Sequence, residues 1–227
     1  MDVWSGRWVA VLLAADGSFR SAGTAVGIAE LVSGLQTGCT EFGETLDVVA
    51  IDIPIGLPEF GARAADLRAR AVLGVRRSSL FLTPVRIAVQ EADYHCANRL
   101  QRERTGSGMS KQAHALRASI LDVDRWLAGR PPVAAIEVHP ELSFTRMTGA
   151  PMANAKRTWS GMRARLAALS EAGIDLPADL GPAGMAGVDD IIDAAAAAWS
   201  ARRYLVGDAV RVPPAREASL DEPTIWA

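Results

Sequence analysis

Residues 46–58 read Leu46-Asp47-Val48-Val49-Ala50-Ile51-Asp52-Ile53-Pro54-Ile55-Gly56-Leu57-Pro58. The run from Leu46 to Ile53 is β-branched and continuous, which predicts a central strand covered on both faces rather than an edge strand. The two prolines and Gly56 end it. A carboxylate inside such a strand is costly unless it is paired, hydrogen-bonded or metal-bound, so Asp52 stands out at once.

Working outward, Gly6 to Ala15 predicts a buried strand, Asp16-Gly17 a hairpin turn, and Phe19 to Val26 a returning strand. Ile28 to Leu35 has helical spacing. Downstream, helices are expected over Ala62 to Leu73, Arg86 to Arg104, Ser110 to Ala128, Ala155 to Ala172 and Val188 to Leu205. Val133 to Val138 predicts a second central strand, stopped by His139-Pro140, and the chain ends in a short irregular tail. Strands alternating with helices predict α/β layers in one domain, with about 63–129 forming a helical insertion between the two central strands.

The chain has 227 residues, enough for one large domain, and its 49% hydrophobic and 22% charged content is that of a globular protein. No apolar run reaches the length of a membrane span, and the start lacks the pattern of a secretory signal. Cys39 and Cys96 have neither disulfide-framework nor zinc spacing, so reduced thiols and a cytoplasmic setting are expected. A net charge of −2 excludes a sequence-blind nucleic-acid coat but leaves room for a local basic groove.

The acidic residues carry the chemistry. Asp52 and Glu137 lie near the carboxyl ends of the two central strands, where α/β sheets bind ligands. Asp190 and Asp193 are three apart, so they share a helix face and repel unless a cation bridges them. The alanines that follow would let this helix approach the sheet closely. Oxygen ligands without a His/Cys pattern select Mg²⁺ or Mn²⁺, and two such ions can drive in-line attack at phosphorus. Each residue also has a structural reading: Asp189 as helix cap, Asp190 as complement to the helix dipole, Asp52 as a turn former, Glu137 as partner of an arginine.

The basic and hydroxyl motifs carry two readings as well. Arg76-Arg77-Ser78-Ser79 offers fork donors and hydroxyls suited to phosphate, or a solvated loop with ion pairs. Gly106 to Lys111 lacks the spacing of a phosphate loop, so Ser110 reads as a helix cap and Lys111 as a phosphate contact. His139 either orients water or substrate, or is a hydrogen-bonded structural residue. The six tryptophans are scattered and read as core or interface.

These residues carry a resemblance. Asp52 to Pro58, Arg76 to Phe81, Gly108 to Gln112, Glu137 to Phe144, Lys156 to Gly161 and Asp189 to Ala194 resemble, in order, the motifs of a family of predicted RNase H-fold nucleases, catalogued as domain of unknown function four-two-nine. The resemblance implies a mixed sheet flanked by helices over 1–227, with Asp2, Asp52, Glu137, Asp190 and Asp193 as catalytic metal ligands. Arg76, Arg77, Ser78, Ser79, Lys111, His139 and Lys156 would then face the phosphates of a nucleic-acid substrate. The D-x-x-D-A spacing is also similar to the last helix of Holliday-junction resolvases.

The family's first-strand motif, Asp followed six residues later by Trp, maps onto Asp2 and Trp8. Family members carry several apolar residues before that aspartate, whereas only Met1 precedes it here. Either the first strand is curtailed or the true start lies upstream, and Asp2 is expected to be poorly positioned. Two other functions compete with a nuclease: a catalytically silent nucleic-acid or nucleotide binding module of the same fold, and an actin-like phosphotransferase. The latter needs glycine-rich phosphate loops that the sequence does not offer.

Overall fold

In a computed structural model, which describes residues 1–217 and 222–227, the chain opens as a three-stranded antiparallel meander of β1 (Asp2–Trp4), β2 (Arg7–Leu13) and β3 (Phe19–Ala25). Ser5 and Gly6 turn between β1 and β2 with φ of 48° and 74°, the left-handed pair that a two-residue hairpin needs. At the next turn, Asp16 Oδ1 accepts from the Ser18 amide and hydroxyl, as an Asx turn does. β2 is apolar throughout because both of its faces are covered. Trp8, Ala10 and Leu12 pack toward α1 (Ile28–Glu41), while Val9 and Val11 pack on the opposite face. α1 presents Ile28, Leu31, Val32, Leu35 and Cys39, spaced as one helix face, and runs past the expected Leu35.

β4 (Val48–Ile51) is buried at every residue, as the opening stretch predicts. The insertion follows as α2 (Ala64–Leu73), a 3₁₀ turn over Gly74–Ser79, α3 (Arg86–Gln90), α4 (Tyr94–Thr105), α5 (Lys111–Ala115) and α6 (Arg117–Ala128). Two expected long helices are interrupted. The run from Arg86 breaks because Glu91 is extended and Asp93 caps a new helix, accepting from the Cys96 amide. The run from Ser110, which does cap as expected, breaks at Leu116, the end of α5 and the start of α6. α6 is tied to the sheet by Asp122, whose Oδ2 accepts from Trp8 Nε1 and from the Ile28 amide, each at 2.9 Å.

β5 (Ala134–Val138) is the second central strand, and α7 (Pro140–Thr148) begins immediately after it, with Pro140 in the first turn. This helix is absent from the sequence expectations, where His139-Pro140 marks only a stop. α8 (Trp159–Glu171) starts later than Ala155 because Thr158 caps it, accepting from the Gly161 amide. α9 (Val188–Leu205) matches its expected span and packs on β1, β2 and β4. Ala194 to Ala197 are fully buried there, so the small side chains do permit a close approach to the sheet. The tail is less irregular than expected, adding β6 (Arg211–Val212) and β7 (Ile225–Trp226).

The result is mixed α/β: a three-stranded antiparallel sheet and a four-stranded mixed sheet in the order β4-β5-β7-β6, with β4, β5 and β7 parallel. The two meet edge to edge at Met1. Its nitrogen donates to Ala50 O at 2.8 Å and its carbonyl accepts from Asp52 N at 3.0 Å, the alternation of a parallel bridge. Among the described residues, no helix is long and apolar enough to cross a membrane.

Candidate metal centre

The bridge at Met1 sets the site. It lays the start of β1 against the end of β4, so Asp2 and Asp52 become neighbours although 50 positions apart in sequence. α9 crosses the same place, and its second turn brings Asp193 down on them. One carboxylate oxygen from each of Asp2, Asp52 and Asp193 lies within 4.8 Å of the other two. Asp2 and Asp193 are buried and Asp52 is half-buried.

Little offsets this concentration of negative charge. Asp2 Oδ1 accepts from the Val3 amide at 2.6 Å, and Asp193 Oδ2 accepts from Lys156 Nζ at 2.5 Å. Asp193 Oδ1 is buried with no hydrogen-bond partner. Burial, followed by the charge of Asp193, pushes the Asp52 carboxyl up to about 8. Burial likewise raises Asp2 and Asp193, in the latter against the pull of Lys156. Lys156 is raised in turn by Asp193, Asp2 and Asp52, against its own desolvation. Of the two nearby ammonium groups, Lys156 bonds Asp193 and the Met1 amine is spent on Ala50 O, leaving three acids as a donor set that could hold a hard divalent cation.

The remaining acids fall into separate roles. Neither Asp189 nor Asp190 caps α9, whose cap is Gly187 with no side-chain bond, so the expected Asp189 cap is not found. Asp189 instead meets Arg157 at 3.2 Å and Lys156 at 3.8 Å. Asp190 is half-buried on the wall of a cavity of about 280 Å³ that Asp2 and Asp52 also line, and burial raises its pKa.

Glu137 is on the same wall but outside the cluster. Arg63 takes both of its oxygens, at 2.6 and 2.7 Å, and the Ile55 amide donates to one of them at 2.7 Å. Asp66 completes the network, at 2.5 Å from Arg63 Nη2. Of the two readings of Glu137, the structure displays the arginine partner. Nothing local in the sequence distinguishes Arg63 among the many arginines.

The basic candidates divide likewise. Lys156, His139 and Ser79 line the cavity, with Arg157 beside them. His139 Nδ1 is buried without a partner, and burial lowers the pKa of its ring. Arg76 is committed elsewhere: its guanidinium donates to Met152 O and Ala153 O at 2.7 and 2.6 Å, tying the 3₁₀ turn to the loop before α8. Arg77, Ser78 and Lys111 are exposed and off this wall. Asp2, expected to be loosely held, is instead 8% exposed and anchored through its neighbour Met1.

Compared with known proteins, residues 1–218 match a family model described as a protein of unknown function (DUF429). No curated protein and no solved structure matches the chain.

Proposed function

We propose, for a chain that belongs to the DUF429 family of proteins of unknown function, that it hydrolyses phosphodiesters of nucleic acid with the help of Mg²⁺ or Mn²⁺. The observation that carries this reading is the convergence of one carboxylate oxygen each from Asp2, Asp52 and Asp193, with Asp193 Oδ1 unpartnered and Lys156 bonded to Oδ2. The sheet supports it too. Read through the Met1 bridge, the strands run β3-β2-β1-β4-β5-β7-β6, which is compatible with the mixed sheet flanked by helices that the RNase H-like resemblance implies.

Asp2, Asp52 and Asp193 would hold the metal, and Asp190 is the next oxygen donor along the wall. Bound there, divalent ions supply an activated water and charge stabilisation for the leaving oxygen. The chain's own groups do the rest. Lys156 and Arg157 would meet the phosphate oxygens, and His139 lies beside them with a buried, unpartnered ring nitrogen. The Arg63–Glu137 pair holds the Ile55 amide and so the turn after β4 on which Asp52 depends. Water adds at phosphorus, the P–O bond to the leaving alcohol breaks, and that alcohol departs with a proton.

The test is cleavage of single-stranded, duplex and branched DNA and RNA with Mg²⁺ or Mn²⁺. The wild-type chain should cleave at least one substrate, and Asp52→Asn or Asp193→Asn should lower the rate by about 100-fold or more. Absence of cleavage with either metal on every substrate overturns the reading. It would favour the catalytically silent binding module, for which the seat of Lys156 inside the cluster is the supporting observation.

A further inference from the structure

The cavity above the acidic cluster has a neighbour. Leu80, Phe81, Thr83 and Gln112 form a wall that it shares with a second cavity of about 280 Å³, enclosed by the helical insertion. The two spaces differ in chemistry. The first is ringed by charge. The second is lined by Ser78, Thr105, Ser107 and Ser110, of which Thr105 and Ser110 bond local backbone, and by one cation, Arg70, with no carboxylate among its described residues.

Thr83 sits at the junction. It is 1% exposed, its amide is pinned to Asp66 Oδ2 at 2.7 Å, and its Oγ1 is buried with no hydrogen-bond partner. A buried unpaired hydroxyl destabilises a fold, and valine in its place would remove that cost. A hydroxyl kept in such a position fits a ligand group that completes its bonding. Phe81, half-buried on the same wall, offers a ring for stacking, and Gln112 offers an amide that can donate and accept.

We infer that the second cavity receives the base and sugar of a single nucleotide unit, whose phosphate lies against the acidic cluster. The substrate is then a mononucleotide ester or the unstacked end of a single strand. A base within an intact duplex would first have to leave its stack to enter. This inference rests on the phosphodiesterase reading of the acidic cluster.

Calorimetric titration of the full chain in saturating Mg²⁺ with adenosine and thymidine 5′-monophosphates and with inorganic phosphate tests it. The nucleotides should bind at least about tenfold more tightly than phosphate. Thr83→Val should remove about tenfold of the nucleotide affinity, leave that of phosphate unchanged and not lower the melting temperature. Gln112→Ala, at an exposed position, should act in the same direction. Equal affinity for nucleotide and phosphate, or nucleotide affinity untouched by both variants, overturns the inference. So does duplex DNA cleaved as fast as single strands.

Assays with Mn²⁺ separate the two levels. Nucleotide binding with these responses but no ester cleaved removes the hydrolytic reading and leaves the subsite. Cleavage of bis(4-nitrophenyl) phosphate, with nucleotide and phosphate bound alike, does the reverse.

Discussion

Lys156 is the residue on which the acidic cluster leans in the absence of metal. Its ammonium meets a carboxylate whose side chain is only 4% exposed, while its own is 34% exposed. Removing one partner of a buried pair leaves an uncompensated charge, although here solvent reaches the ammonium and weakens the effect. Lys156→Met should therefore destabilise the metal-free protein by about 2 kcal/mol in urea titration, with much of the loss regained in Mn²⁺. Unchanged stability would mean that Lys156 does not neutralise the cluster. At this scale the sequence was partly legible. Asp52 declares itself as a carboxylate closing an apolar strand, and Asp193 through its i,i+3 spacing from Asp190 on one helix face. Glu137 makes the same local signal, yet its oxygens are taken by Arg63, 74 positions away. Strand-end placement alone does not distinguish a free carboxylate from a paired one.

The element that positions Lys156 is the start of α8. The loop before it turns back so tightly that a Cβ on Gly161 would stand 1.9 Å from Ala155 O. Gly161→Ala should destabilise by on the order of 2 kcal/mol through this overlap, despite alanine's higher helix propensity. Gly34→Ala in α1, with nothing within 4 Å, should instead stabilise by up to about 1 kcal/mol. Thermal melts of the two variants check the contrast, and a stabilising Gly161→Ala would contradict the packing described. The span of α9 was legible in full, and that of α1 only as far as Leu35, although its apolar period continues to Cys39. The breaks at Glu91 and Leu116 were not, because the residues around them keep helical composition while their backbone follows packing within the insertion.

For the molecule as a whole, the cluster links stability to pH. Asp52 titrates at about 8 in the folded state, raised first by burial and then by Asp193, against an ordinary carboxyl value of 3.8. Asp2 and Asp193 shift in the same direction. The folded protein thus holds protons that the unfolded chain has released. The stability they contribute is complete below about pH 4 and is lost as pH rises toward 8. In chelator, the urea midpoint should fall between pH 5 and pH 8.5. Saturating Mg²⁺ or Mn²⁺, which binds ionised carboxylates, should flatten or reverse that slope. A midpoint that rises with pH in chelator would contradict the buried, protonated cluster.

The sequence by itself determined the α/β alternation, the strands β2, β4 and β5, the close-packed alanine face of α9, and the prominence of Asp52, Asp190 and Asp193. These are local properties, set by hydrophobic period and by the cost of a carboxylate among apolar neighbours. The tertiary structure alone decided which acids meet. Asp2 joins because the Met1 bridge brings β1 against β4, and Glu137 stays apart because the insertion sends Arg63 to it. It also decided that Thr83 stands between two cavities. Such outcomes depend on contacts between residues far apart in the chain, and no local pattern encodes which distant partner arrives.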